Sequence, residues 1–315
     1  MHLFSPPSAK IAGFLINFLI HKAMRKELEK KINQAIRLLQ SIPTDKGDIE
    51  LSYSGGKDSD VILKLSQLAG IKVRVIYKST SIDPPGTISH ATKNGAEIIR
   101  PKKTFFQLVE QKGLPSRFVR FCCSELKEYK ICDIDIQGIR RSESRARSDR
   151  YQEPQICRIY NKNKNQRVSV FLPILEWTDE DVDEFIKAYN IQCAPVYYDE
   201  EGKFHVERRL GCMCCPLASR KKRLEEFHKH PRMVRLYVKA CSKWMKAKGR
   251  SNSKFQNAID AFCATVYFDS YAQFCEKTYT MFGKFDWREF LEKEFDINLQ
   301  DIPYTYEEKS PVSAY

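Results

Sequence analysis

A chain of 315 residues with 42% hydrophobic side chains can bury one large core, or a core and an appendage, and its composition excludes an unfolded polar chain. Lysine and arginine outnumber aspartate and glutamate 53 to 40, a formal charge of +13 that favours a polyanionic partner such as nucleic acid through phosphate contacts. Eleven cysteines, an odd number with several close together in sequence, argue against a secreted disulfide framework and place the chain in a reducing cytoplasm.

Residues 1–23 read as an N-terminal extension, with Met24 as an alternative start. The membrane-like run 11–20 is about half the length of a spanning helix and is interrupted by Asn17, so no membrane association is expected. No small-residue cleavage site follows it, which argues against a signal peptide. Over residues 24–42, Leu28, Ile32, Ala35, Ile36 and Leu39 recur at helical spacing before Pro43. A strand is predicted at 49–53, a helix from the glycine turn to about residue 69, and a strand at 72–77, which together imply a right-handed parallel crossover. Residues 79–86 read as a loop at the carboxyl end of the second strand, where open parallel sheets bind ligands, and place Thr80 and Asp83 to meet a ligand bound there.

The alternation continues with a helix at 88–94, a strand at 97–99, a helix at 104–112 and a strand at 131–137. Residues 151–169 are polar and predict an exposed loop or hairpin. After the apolar run 171–177, Thr178 is a helix N-cap with Asp179, Glu180 and Asp181 in the first turn and Val182, Phe185 and Ile186 facing the core. Over 220–254 basic residues recur, opposed by Glu225 and Glu226; 255–285 is aromatic-rich with helical spacing, and 300–315 is a loose tail. The fold class is therefore α/β, a parallel twisted sheet with helices on both faces, plus a mostly helical C-terminal region. The domains are drawn at 24–219 and 220–315.

Ser54-Gly55-Gly56-Lys57-Asp58-Ser59 lies between a predicted strand and a predicted helix. Two glycines let backbone N–H groups approach a phosphate, the helix N-terminus faces it, and Lys57 adds positive charge. The spacing is neither that of a Walker loop nor G-x-G-x-x-G. Cys122-Cys123 and the later Cys212-Met213-Cys214-Cys215 form a second constellation, since two separated clusters can bring four thiolates to one metal centre. Adjacent cysteines reach one centre only where the backbone turns. Zinc held by four thiolates, or buried cysteines without metal, are the other readings.

The glycine loop resembles the S-G-G-x-D-S loop of the PP-loop ATP pyrophosphatases, which cleave ATP between the α- and β-phosphates while adenylylating a substrate. With Gly138-Ile139-Arg140-Arg141-Ser142-Glu143-Ser144, the stretch Pro173 to Asp181, and Gly211 to Pro216, residues 25–220 resemble the phosphoadenosine phosphosulfate reductase family. The resemblance implies that Ser54, Gly55, Gly56 and Ser59 hold phosphate, that Lys57 and Arg140 stabilise negative charge, and that Asp58 helps place Mg²⁺. It also puts Arg141 and Glu143 beside the nucleotide. By analogy with iron-sulfur members of the family, Cys122, Cys123, Cys212 and Cys215 would hold a 4Fe-4S cluster and Cys214 would be spare.

Sulfonucleotide reductases of this family attack sulfur with a cysteine in a C-terminal E-C-G-L-H motif, which this chain lacks. The intact loop and the cysteine set are closer to the sulfur-transfer proteins of DNA phosphorothioate modification. The expectation is adenylylation of an acceptor by ATP, coupled to sulfur transfer on nucleic acid with a sulfur donor protein. Sulfonucleotide reduction, or a non-catalytic protein that binds nucleotide and nucleic acid, are the alternatives.

Overall fold

The computed structural model describes residues 24–160, 166–248, 255, 257–281 and 283–303. The expected extension at 1–23 and most of the expected loose tail lie outside the described residues. Two compact units share the chain: one takes residues up to 78, 85–99 and 129–210, the other 79–84, 100–128 and 211 onward. The Cys122-Cys123 and Cys212–Cys215 segments thus belong with the C-terminal helices, a grouping different from a boundary at 219–220.

The first unit is built on a six-stranded sheet: β1 (Ile49–Ser52), β2 (Arg74–Lys78), β3 (Glu97–Ile99), β4 (Ile134–Ile136), β5 (Gln155–Tyr160) and β6 (Gln166–Phe171). Its order is β3-β2-β1-β4-β6-β5; all pairings are parallel except β5 with β6. That antiparallel pair takes the place of the exposed loop or hairpin expected at 151–169, but its second strand runs on to Phe171 and buries Val168, Val170 and Phe171. Helices Lys57–Leu68 and Thr87–Lys93 join successive parallel strands, as the alternation predicted. Strand order reverses between β1 and β4, so the loops leaving their carboxyl ends part and open a crevice, the ligand position of doubly wound sheets.

Helix Lys26–Gln40 buries Leu28, Ile32, Ala35 and Leu39, the stripe its spacing predicts. Helix Asp179–Ala188 starts with a capping box in which Thr178 Oγ1 accepts the Asp181 N–H and the Asp181 carboxylate accepts the Thr178 N–H. It buries Val182, Phe185 and Ile186 against a core that includes Leu51, Ile62 and Trp177.

The second unit is helical with an aromatic core. Helix Arg232–Lys248 packs on helix Phe105–Lys112, where the Tyr237 and Phe105 rings meet edge to face 5.4 Å apart. Helix Ala258–Phe262 runs into a single π-turn at Cys263–Tyr267, and helices Tyr271–Thr278 and Trp287–Phe295 follow. Among the described residues no helix is long and apolar enough to cross a membrane.

Candidate active site

A cavity of about 290 Å³ lies at the reversal point, with the loop after β1 on one side and the segment after β4 on the other. Ser54, Gly56, Lys57, Asp58 and Ser59 line the first side. Gly55 turns the chain with φ +75°; a Cβ there would stand 2.8 Å from Thr87 Cγ2, so the turn requires glycine. Ser59 Oγ donates to the Gly56 carbonyl at 2.6 Å, and the Ser59 and Asp60 N–H groups donate to the same oxygen, tightening the start of helix Lys57–Leu68. The Gly56 N–H donates to Ser54 Oγ at 3.3 Å. The other wall approaches just as closely: a Cβ on Gly138 would lie 2.8 Å from the Asp58 carbonyl oxygen.

Lys57 is buried to 3% exposure, with Nζ 3.5 Å from Asp58 Oδ2 and over the Tyr197 ring. Arg140 does not line the cavity. It is 1% exposed; Nε donates to Asp58 Oδ1 and Nη2 to Asp179 Oδ1, each at 2.7 Å, and Nη1 to Ser142 Oγ at 3.1 Å. Arg141 turns to Glu176 and Gln152. The guanidinium groups that do line the cavity are Arg147 and Arg209. Arg147 pairs with Glu143, which lines the cavity too, and Arg209 donates to the Glu143 carbonyl at 2.8 Å. Burial pulls the Arg147 pKa below the usual arginine value. Arg147 lies on the short helix Arg145–Arg150, nine residues after Gly138, and no sequence pattern marked either it or Arg209.

Behind the loop, the buried Asp60 carboxylate accepts from the Tyr53 hydroxyl and lies 3.0 Å from His90 Nε2. This braces the first helical turn from within. Thr80 and Asp83 are in the second unit, bonded to each other: Thr80 Oγ1 donates to Asp83 Oδ1 at 2.8 Å and the Thr80 N–H to Asp83 Oδ2 at 2.9 Å.

In that unit Cys122 and Cys123 lie on helix Phe121–Leu126, and Cys212 and Cys215 bracket a turn in which Cys214 has φ +50°. Cys214 faces inward, its N–H donating to Glu226 Oε2 at 2.6 Å and its carbonyl accepting from the Tyr237 hydroxyl; burial pushes its thiol up to about 12. Cys122, Cys123, Cys212 and Cys215 share one electrostatic neighbourhood. The neighbouring Cys122 thiol pulls Cys123 below the usual thiol range while Cys122 itself is pushed up; burial opposes the Cys123 shift, and Arg120, whose Nη2 is 3.7 Å from the sulfur, assists it. Four thiols are a donor set that suits iron or zinc. No group of three or more such ligands stands at metal-holding separation among the described residues.

The family model for the phosphoadenosine phosphosulfate reductase domain matches residues 48–218. An uncharacterised protein of Methanocaldococcus jannaschii is 28% identical over 236 residues, 70% of this chain and 52% of its own. Sulfate adenylyltransferase subunit 2 of Bacteroides thetaiotaomicron is 25% identical over 217 residues, 56% of this chain and 68% of that protein. Among solved structures, the U34-tRNA thiolase of Methanococcus maripaludis with its [4Fe-4S] cluster aligns at 15% identity and a TM-score of 0.36, covering 73% of this chain and 87% of that one. The chain spans about half the length of the first curated relatives it matches. With the family model covering more than half of its residues, the chain belongs to the phosphoadenosine phosphosulfate reductase domain family.

Proposed function

We propose that this chain binds ATP with its phosphates against the Ser54–Ser59 loop and transfers the adenylyl group to an acceptor, as the first half of a sulfur transfer on nucleic acid. The observation that carries the reading is the crevice at the strand-order reversal, walled by a glycine turn, a helix N-terminus and Lys57. Lys57, Arg147 and Arg209 neutralise the polyphosphate, and Arg140 holds Asp58 by its Oδ1. Asp58 would hold Mg²⁺, which would neutralise charge on the polyphosphate.

The acceptor atom bonds to the α-phosphorus, and the bond to the bridging oxygen of the β-phosphate breaks with its electron pair, so that pyrophosphate leaves. Sulfur from a donor protein then displaces AMP. Cys122, Cys123, Cys212 and Cys215 would hold a 4Fe-4S cluster, which when bound supplies a sulfur- or electron-handling centre. A subunit partner is a further element of the reading, drawn from the subunit named in the adenylyltransferase relative.

Reduction of a sulfonucleotide fits less well. Cys241 and Cys263 are fully buried, burial pushing Cys241 up to about 12, so neither is an exposed nucleophile. Pyrophosphate release from ATP, measured with anaerobically prepared protein and nucleic-acid acceptors, tests the proposal. Lys57→Ala is expected to lower the rate by about 10²-fold or more, the scale for losing a charge-stabilising group. No release with any acceptor, or sulfite production from a sulfonucleotide with thioredoxin, would overturn it.

A further inference from the structure

Beneath the crevice the sheet carries charge where parallel strands ordinarily carry branched apolar side chains. Glu50 on β1 and Asp135 on β4 are fully buried and directly opposite in register. Two carboxylates so placed repel unless cations lie between them. Lys130 Nζ is 2.6 Å from Asp135 Oδ2 and 3.7 Å from Glu50 Oε1, and Lys78 Nζ is 2.5 Å from Glu50 Oε1. Burial works against the Lys130 ammonium, but Asp135 and Glu50 hold its pKa above the usual lysine value. Burial likewise works against the Glu50 carboxylate, yet Lys130 and Lys78 keep it below the usual range, whereas at the other two members burial prevails, raising Asp135 and lowering Lys78.

Two side chains connect this quartet to the cavity, and both line it: Ser52 and Gln137. Ser52 Oγ accepts from Lys130 Nζ at 2.5 Å and donates to Asp135 Oδ1 at 2.8 Å. Gln137 Nε2 donates to Asp135 Oδ2 at 2.5 Å and to the Tyr160 hydroxyl at 3.2 Å. A serine hydroxyl has one proton and a glutamine amide two, so the network engages every donor these side chains have. What each offers the cavity is an oxygen lone pair. One wall therefore presents cations, and the floor presents acceptors.

Resting on the adenylylation reading, we propose that Gln137 and Ser52 select the acceptor as a protic nucleophile, one bearing a hydroxyl, amide or amine hydrogen, and reject oxyanions such as sulfate. A protic group donates to Gln137 Oε1 or Ser52 Oγ; an oxyanion would give up hydration to face lone pairs. In the transfer, the acceptor oxygen or nitrogen bonds to the α-phosphorus, pyrophosphate departs with the electron pair of the broken bond, and the acceptor proton passes to water. Gln137 is thus a specificity-determining residue.

The test follows pyrophosphate release from Mg²⁺-ATP by the full chain, with hydroxylamine as the protic probe and sulfate or molybdate as oxyanion probes. Hydroxylamine is expected to stimulate release and the oxyanions are not. Gln137→Met is expected to raise the KM for hydroxylamine about tenfold, the loss of one hydrogen bond, and to change ATP affinity by calorimetry by less than that factor. The wild-type comparison stands whether or not the variant folds. Stimulation by sulfate or molybdate, an unchanged KM in a folded Gln137→Met, or no response to hydroxylamine in protein that binds ATP overturns the selection rule alone. Absence of ATP binding overturns the adenylylation reading, and the selection rule with it.

Discussion

Gly55 and Gly56 are neighbours with unequal tolerance for a side chain. Gly55 combines φ +75° with a Cβ position 2.8 Å from Thr87 Cγ2, whereas the nearest atom to a Cβ on Gly56 is the Tyr197 hydroxyl oxygen at 3.2 Å, at the end of a side chain. Gly55→Ala is therefore expected to cost about 1–2 kcal/mol from backbone strain alone. Because the cost falls on the turn that shapes the cavity wall, ATP affinity should drop with it. A thermal melt and calorimetry on Gly55→Ala and Gly56→Ala check this; equal losses in the two variants would contradict it. The same neighbourhood shows where residue-level reading of sequence stops. The Gly138–Ser144 motif locates an arginine-bearing segment, but Arg140 and Arg141 look alike until Asp58 and Asp179 claim the first of them.

Helix Lys26–Gln40 is tied to helix Asp179–Ala188 through two carboxylates, Glu184, which takes Arg25, and Asp181. Asp181 is 2% exposed and takes Lys31 Nζ at 2.7 Å and Arg25 Nη2 at 3.0 Å while also closing its own helix's capping box. Burial raises its pKa, but the hydrogen bonds from Lys31 and Thr178 prevail and hold it below the usual aspartate value. A depressed native pKa means a contribution fully present above the unfolded value of about 3.9 and lost as pH falls through the native one. Asp181→Asn should thus be less stable by about 1–3 kcal/mol near neutrality. In urea titrations the two proteins should converge as the solution is acidified below about pH 4; a pH-independent gap would contradict the ion-pair account. Elements of this kind were legible because their signals are local. Apolar periodicity marked helix Lys26–Gln40, Thr178 marked a start, and alternating residues marked β2. Helix Phe121–Leu126 is too short to show a period, and helix Trp287–Phe295 went unassigned although Asp286 caps it through the Arg288 and Glu289 N–H groups.

For the whole molecule, the formal charge of +13 is not spread over free cations. Within the basic stretch Arg223 is buried and bonded to Asp269, Arg235 to Asp301, and Lys243 to Glu110, so these hold the helices in place. Arg220, Lys221, Arg232, Lys239 and Lys246 are exposed on the two helices of that stretch. Single-stranded oligonucleotide binding through five such contacts should weaken by about two orders of magnitude between about 50 and 200 mM salt, given a slope of about −0.7 per contact. Fluorescence anisotropy across that range, with Lys221→Glu and Lys246→Glu alongside, measures it; a flat salt response would show that these side chains only solvate a surface. Sequence could not sort the paired from the exposed cations, nor place residues 211–219 with the C-terminal helices, because both depend on contacts far apart in the chain. Composition did convey the surplus itself, and motif order conveyed the α/β architecture. The quartet of Glu50, Lys78, Lys130 and Asp135 adds nothing to that surplus, since its charges sum to zero. Its field cancels at short range, so it sorts visitors by touch, whereas the outer cations act across about 8–10 Å, one screening length. Added electrolyte should therefore slow arrivals without altering which guest is kept.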